Sequence, residues 1–129
     1  MMKSRSVEQQ TNLLLDIQNG DEIVVTLTLP QNVKDIIGTQ FRLGFDNTRV
    51  SFDRIEYSNT QIQNFKTTRA DYINFGSIST DGSKDLNSGV EYKIYFKPNI
   101  KMDSILGLVV LTKSEFVTSD GKILLIPIE

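Results

Sequence analysis

From Val90 to Lys97 the chain sets Val90, Tyr92, Ile94 and Phe96 on one side of an extended backbone and Glu91, Lys93, Tyr95 and Lys97 on the other, before Pro98-Asn99 stops the run. This period of two constrains the fold more than any other feature, because successive side chains alternate faces only in a strand. A helix would scatter the same aromatics around its circumference. The pattern recurs. Between Glu22 and Leu29, Ile23, Val25, Leu27 and Leu29 oppose Glu22, Val24, Thr26 and Thr28 until Pro30. From Thr39, Phe41, Leu43 and Phe45 share a face against Gln40, Arg42 and Gly44. Each such strand has one dry side and needs a second layer to cover it.

The remaining segments fit the same scheme. Leu13 to Ile17 is a short apolar run closed by the turn Asn19-Gly20-Asp21. Asp46-Asn47-Thr48 offers short polar side chains that can bind nearby backbone amides, and extended structure resumes from Arg49 to Ile55. Asp71 to Ser79 sets Tyr72, Asn74 and Gly76 against Ile73, Phe75 and Ser77, and Thr80 to Asp85 follows as a polar loop. Ile105 to Thr112 is apolar on both faces and predicts a central strand. Glu115 to Thr118, the turn Ser119-Asp120-Gly121 and Lys122 to Ile128 predict a terminal hairpin. Helical structure is expected only as single turns, near Val33 to Ile37 or Asp103. Eight to nine short strands at roughly 8 to 12 residue spacing predict an all-β, two-sheet antiparallel sandwich, with a closed barrel as the alternative.

A chain of 129 residues fits one domain that buries roughly two-thirds of its unfolded surface without staples. The expected division is a polar arm over residues 1–12 and a sandwich over 13–129. The arm begins with basic residues but turns polar where an export signal would carry about 7 to 15 apolar residues, so no such signal is expected. Apolar runs have strand length, well short of the roughly 20 residues of a membrane-spanning helix. Fourteen basic and sixteen acidic side chains, spread evenly, give a net charge of −2. That balance lacks the basic footprint of a nucleic-acid binder.

Neither histidine nor cysteine occurs, which removes the usual neutral-pH base, the thiol nucleophiles and the common transition-metal ligands. A pair of carboxylates can still perform glycoside hydrolysis. Asp46, Asp53, Asp81, Asp85 and Asp120, however, all sit in or beside turns, where turn chemistry accounts for them. The Thr80 to Asp85 loop has oxygen ligands at a spacing that suits calcium, but it lacks the acidic alternation and distal glutamate of an EF-hand loop, and Lys84 brings the wrong charge. A solvated loop is the plainer reading, and no cofactor is expected. No Gly-x-Ser-x-Gly elbow or phosphate-cradling loop is present. Tyr95, between Lys93 and Lys97 on the polar face, marks either a contact surface or a ring that merely covers the sheet. Sugar stacking on it is a further option, whereas the facing of Tyr57 and Tyr72 is open.

The string Gly38-Thr39-Gln40-Phe41-Arg42-Leu43-Gly44-Phe45-Asp46, followed by Val50-Ser51-Phe52, resembles the cohesin pattern of an alternating strand ending in an aromatic and an aspartate. Gly20-Asp21, Ile73-Asn74-Phe75, Asp81-Gly82, Tyr92 to Phe96 and Phe116 to Gly121 follow in cohesin order, so the likeness spans roughly residues 13 to 129. The resemblance implies a nine-stranded jelly roll whose flat face binds partners, with Asp46 as a turn residue. Cohesins bind dockerins. Similar sandwiches occur in small virion proteins of tailed bacteriophages, which are made in the host cytoplasm and need no export signal.

These readings converge on a non-enzymatic assembly protein. The expected role is a virion accessory, a capsid decoration or tail component, which pairs with other virion subunits or forms a homo-oligomer. Met1, Met2, Arg5 and Val7 of the arm, with Lys93, Tyr95 and Lys97 on the sheet, are the candidate interface residues. The alternatives are a cohesin-like receptor for a dockerin-type partner, placed outside the cell, and a carbohydrate-binding module.

Overall fold

The computed structural model describes residues 13–30, 35–58, 62–80 and 90–125. Nine strands run through them: β1 (Leu14–Asn19), β2 (Ile23–Thr28), β3 (Ile36–Phe45), β4 (Val50–Tyr57), β5 (Gln63–Thr68), β6 (Tyr72–Ile78), β7 (Glu91–Pro98), β8 (Val109–Thr118) and β9 (Ile123–Leu125). They form one sheet in the order β1-β2-β7-β4 and another in the order β5-β6-β3-β8-β9. Every pairing is antiparallel. The protein is thus the expected two-sheet sandwich rather than a closed barrel.

The alternating strands pack as their sequence dictates. Ile23, Val25, Leu27, Phe41, Leu43, Ile73, Phe75, Tyr92, Ile94, Phe96 and Phe116 are fully buried between the sheets. Phe41 sits at the centre, its ring 5.4 Å from Phe75, 5.6 Å from Tyr92 and 5.8 Å from Phe116. The last two contacts are edge-to-face, the arrangement that aromatic quadrupoles favour.

Four expectations need correction. Ile105 to Thr112 is not a strand along its length: Ile105 and Leu106 lie in the β7–β8 connection, and β8 runs on without a break through Glu115 to Thr118. The apparent break comes from a bulge, since β8 carries one extra residue, Thr112, where its pairing with β3 shifts between Arg42 and Leu43. Val110 is 55% exposed, so β8 is not apolar-buried on both faces. Strand β5 is absent from the sequence reading because the residues paired with inward Ser77, Phe75 and Ile73 are Asn64, Lys66 and Thr68, which give an edge strand no dry stripe. No helical turn forms at Ile36 and Ile37, which open β3, or at Asp103, which lies in a bend. Val33, the end of the expected terminal hairpin at residues 126–128, and the arm 1–12 lie outside the described residues.

One polar thread crosses the apolar interior. The Tyr92 hydroxyl, on the four-stranded sheet, lies 2.8 Å from Thr39 Oγ1 and 2.7 Å from Ser77 Oγ, both on the five-stranded sheet. Ser77 Oγ donates to Asn64 Oδ1 at 2.6 Å, and Thr39 Oγ1 accepts from the Ser77 amide at 3.1 Å. One proton per hydroxyl then fixes the direction: Thr39 donates to Tyr92, and Tyr92 donates to Ser77. Burial pushes the Tyr92 phenol above its ordinary value, which keeps it neutral and able to donate. Beside this thread, a Cβ on Gly76 would fall 2.1 Å from the Thr39 carbonyl oxygen and 2.7 Å from Phe65 Cζ. Phe65 is the cross-strand partner of Gly76, so the ring lies where a side chain would otherwise stand.

Tyr92→Phe keeps the rings packed but strands the Ser77 and Thr39 hydroxyls. Urea denaturation should show a loss of about 1–3 kcal/mol. Gly76→Ala drives a methyl into backbone and should cost about 3 kcal/mol or more in the same assay.

Candidate protein-docking face

The sandwich offers two outer faces. On the four-stranded sheet, Lys93, Tyr95 and Lys97 line up along β7, as their spacing predicts, opposite Arg54 and Glu56 of β4. A register shift between Phe52 and Arg54 inserts Asp53 as an extra residue, so Phe52 and Ile55 pair with buried Phe96 and Ile94 while Arg54 pairs with Tyr95 on the outside. The Arg54 guanidinium lies 3.8 Å from the centre of the Tyr95 ring. Its Nη1 reaches Asp53 at 2.5 Å and Glu22 at 3.2 Å. The Tyr95 hydroxyl donates to Glu56 Oε1 at 2.7 Å, and that bond to a carboxylate raises the phenol above its ordinary value. Lys97 Nζ stands 4.0 Å from Asp53. Arg54, Tyr95 and Lys97 are thus engaged within the face, whereas no ion pair forms at Lys93 among the described residues, and Arg54 covers one side of the ring that sugar stacking would use. Met1, Met2, Arg5 and Val7 lie outside the described residues.

The turn aspartates have local partners as well. Asp46 Oδ1 accepts the Thr48 amide at 3.0 Å and the Thr48 hydroxyl at 2.6 Å, while Oδ2 takes Arg49 Nε at 2.9 Å. Arg49 then reaches across to the β7–β8 connection, donating to the carbonyls of Leu106 at 2.9 Å and Ser104 at 3.3 Å. Asp46 therefore fixes a turn and, through Arg49, a loop. Asp120 is bonded to the Thr118 hydroxyl and lies 3.8 Å from Lys122 Nζ. Asp81 and Asp85, the suggested calcium loop, lie outside the described residues. Among the described residues no three acidic side chains gather where they would hold a metal.

The outer face of the five-stranded sheet differs in kind. Ile78 is 50% exposed, Val110 55%, Ile123 60% and Leu125 75%, and all four sit on outward positions of β6, β8 and β9. Arg42 and Asn74 face outward among them, joined by an Arg42 Nε to Asn74 Oδ1 bond of 2.9 Å. The Arg42 guanidinium lies 4.5 Å from the Tyr72 ring centre. At Gly44, which has no side chain, the surface drops into a notch of about 290 Å³ lined by Phe45, Asp46, Asp71, Gly107, Leu108 and Val110. Leu106, 85% exposed, stands on the adjoining loop. The aliphatics Ile78, Val110, Ile123 and Leu125 carry no such signal in the sequence, where an apolar residue on the wet side of a strand reads as core, whereas Tyr72, whose facing the sequence leaves open, stands on the outer side.

An exposed group of large aliphatics flanked by arginine and tyrosine is the composition of a protein contact. The architecture carrying it is shared with solved structures. The chain superposes on the sixth cohesin of Acetivibrio cellulolyticus scaffoldin B, solved with a Cel5 dockerin, with a TM-score of 0.71 at 14% identity, covering 92% of this chain and 93% of that one. This is the cohesin fold. Type II cohesin A11 of Bacteroides cellulosolvens matches with a TM-score of 0.69 at 16% identity over 92% and 99% of the two chains. A non-cellulosomal cohesin from the archaeon Archaeoglobus fulgidus gives 0.64 at 15% identity over 92% and 86%. No protein-family model matches the sequence. No curated protein matches it either.

Bonds from the Thr48 hydroxyl and amide and from Arg49 hold the Asp46 carboxyl below its ordinary 3.8. A carboxyl lowered by folding stabilises fully above its unfolded value and ceases to do so as the pH falls through its folded value. The protein should therefore exceed the Asp46→Asn variant in stability at neutral pH and lose that advantage below pH 3.8, as read by urea denaturation across the acid range.

Proposed function

We propose that this chain is a protein-binding module that takes a dockerin-type partner on the outer face of its five-stranded sheet. One observation carries the reading: the exposed aliphatics Ile78, Val110, Ile123 and Leu125 lie on that sheet, while Arg54, Tyr95 and Lys97 of the opposite face are engaged by acidic residues of their own sheet. The fold supports the choice of partner, because cohesins of the same architecture have been solved in complex with dockerins. Assembly into a virion, the first expectation from sequence, also calls for a protein partner but draws no comparable support from these structural neighbours. Whether the module works on a virion or outside a cell follows from which partner it takes.

Calorimetric titration of the purified chain with recombinant calcium-loaded dockerin modules tests the reading. Binding at micromolar strength or better is expected. The double variant Ile78→Asp, Val110→Asp should weaken it at least tenfold, about 1.4 kcal/mol, and Tyr95→Ala should leave it unchanged. A loss confined to Tyr95→Ala would move the interface to the four-stranded sheet. Absence of binding across the dockerin panel would remove that partner class.

A further inference from the structure

Five asparagines lie among the described residues, and four of them are tied down. Asn47 donates its side-chain amide to the Ala70 carbonyl at 3.0 Å. Asn64 Oδ1 accepts from the Ser77 hydroxyl at 2.6 Å, Asn74 Oδ1 from Arg42 Nε at 2.9 Å and Asn99 Oδ1 from the Ser51 hydroxyl at 2.8 Å. Each of the four is followed by a branched or aromatic residue, namely Thr48, Phe65, Phe75 and Ile100. Asn19 differs on both counts. It is exposed at the end of β1, its carboxamide has no hydrogen-bond partner among the described residues, and Gly20 follows it.

That pairing sets up a reaction within the chain. The Gly20 amide nitrogen, once it has lost its proton, attacks the Asn19 carboxamide carbon, a cyclic imide closes and ammonia leaves. Glycine has no Cβ to shield its nitrogen or to bar the backbone angles that ring closure needs, whereas the side chains after the other four asparagines crowd the approach. Water then opens the imide at either carbonyl. One opening gives aspartate, and the other routes the main chain through the side-chain carbonyl to give isoaspartate, with an additional methylene in the backbone.

The surroundings favour this chemistry at Asn19. The attacking nitrogen is held by a single bond, to the Glu22 carbonyl at 3.1 Å, in a loop exposed at Gly20 and Asp21. The fold makes no demand for glycine there, since its φ lies outside the left-handed region and a Cβ would meet only the Glu22 carbonyl oxygen, at 3.8 Å. Asp120-Gly121 is the contrast. Bonds from the Thr118 hydroxyl and the Lys122 amide hold the Asp120 carboxyl below its ordinary value, and an ionised carboxylate resists attack by an amide nitrogen.

We propose that Asn19-Gly20 is a self-modifying site, at which loss of ammonia and uptake of water convert Asn19 to aspartate or isoaspartate, and that the isoaspartate loosens the β1–β2 hairpin. Asn19 is the cross-strand partner of Ile23, whose side chain is fully buried. An extra backbone methylene puts this last rung of the ladder out of register at the position that seats Ile23 in the core. The new carboxylate also joins Asp21 and Glu22 in the same turn, Glu22 being the residue that pairs with Arg54.

The whole chain, kept warm in mildly alkaline buffer and mapped peptide by peptide in a mass spectrometer, reports conversion at each asparagine. Asn19 should convert first of the five. Gly20→Ala, which the space around Gly20 accepts, should slow that conversion roughly tenfold or more. The isoaspartate form, isolated by ion exchange, should unfold at lower urea than the Asn19→Asp variant, which carries the same charge without the methylene. Conversion at Asn47, Asn64, Asn74 or Asn99 ahead of Asn19, or an undiminished rate in Gly20→Ala, would overturn the site. Equal stability of the isoaspartate form and Asn19→Asp would overturn the loosening.

Discussion

Two sheets with one dry side each must be held face to face, and the point where this is decided is the ring and hydroxyl of Tyr92. The ring packs edge-on against Phe41, Phe75 and Tyr57, which accounts for cohesion. Apolar contact alone is non-directional and would tolerate sliding of one sheet over the other. The hydroxyl removes that freedom, because its bonds to Thr39 and Ser77 are made only at one offset between the sheets, and an unmet polar group in this interior is costly. Asn64 extends the thread to the edge strand β5, so the pin reaches β3, β6 and β5 beneath the outer face of the five-stranded sheet.

With the offset set, register decides what each outer face shows. A step of one residue would exchange the two sides of a strand, and both sheets use a bulge to place particular side chains. In β4 the extra Asp53 turns Arg54 outward over Tyr95 while Phe52 and Ile55 stay inside. In β8 the extra Thr112 lets Leu111 and Val109 face Leu43 and Phe45 on one side of the slip, and Ser114 and Phe116 face Phe41 and Thr39 on the other. The consequence is a difference in chemistry between the faces. One carries a network of ion pairs linking Arg54, Glu22, Asp53, Glu56 and Lys97, where exposed pairs contribute little to stability. The other leaves aliphatics exposed beside an Arg42 that Asn74 and Tyr72 hold in place.

Strands whose wet and dry sides alternate, such as β2, β3 and β7, are legible in the sequence because burial and period say the same thing. The turn at Asp46 is legible for a similar reason: its chemistry is local, confined to Thr48 and Arg49. Legibility fails where tertiary context sets the role. Strand β5 is nearly polar throughout because it closes an edge and covers Gly76 with a single ring, Phe65. The bulge at Thr112 breaks the alternation of β8, so one long strand reads as two. The outward aliphatics fail for a deeper reason. Val110 and Ile78 have the same composition signal as core, and only the fold shows that half of each is exposed. Tyr95 is the reverse case, a ring that stands out among lysines yet is engaged by Arg54 and Glu56 in its own sheet.

Specific recognition on a sheet face needs rigidity as well as stickiness, since a mobile surface loses on binding part of what its contacts supply. Here the rigidity can be traced residue by residue. Asp46 orients Arg49, Arg49 holds the carbonyls of Ser104 and Leu106, and the loop so held carries Gly107, whose φ of 68° turns the chain back into β8 beside the notch. On the opposite side Asn74 and Tyr72 fix Arg42. The turn expected at Asp46 thus has a physical basis that reaches beyond the turn itself. Asp46 holds Thr48 and Arg49, and the loop that Arg49 braces forms part of the rim of the notch at Gly44.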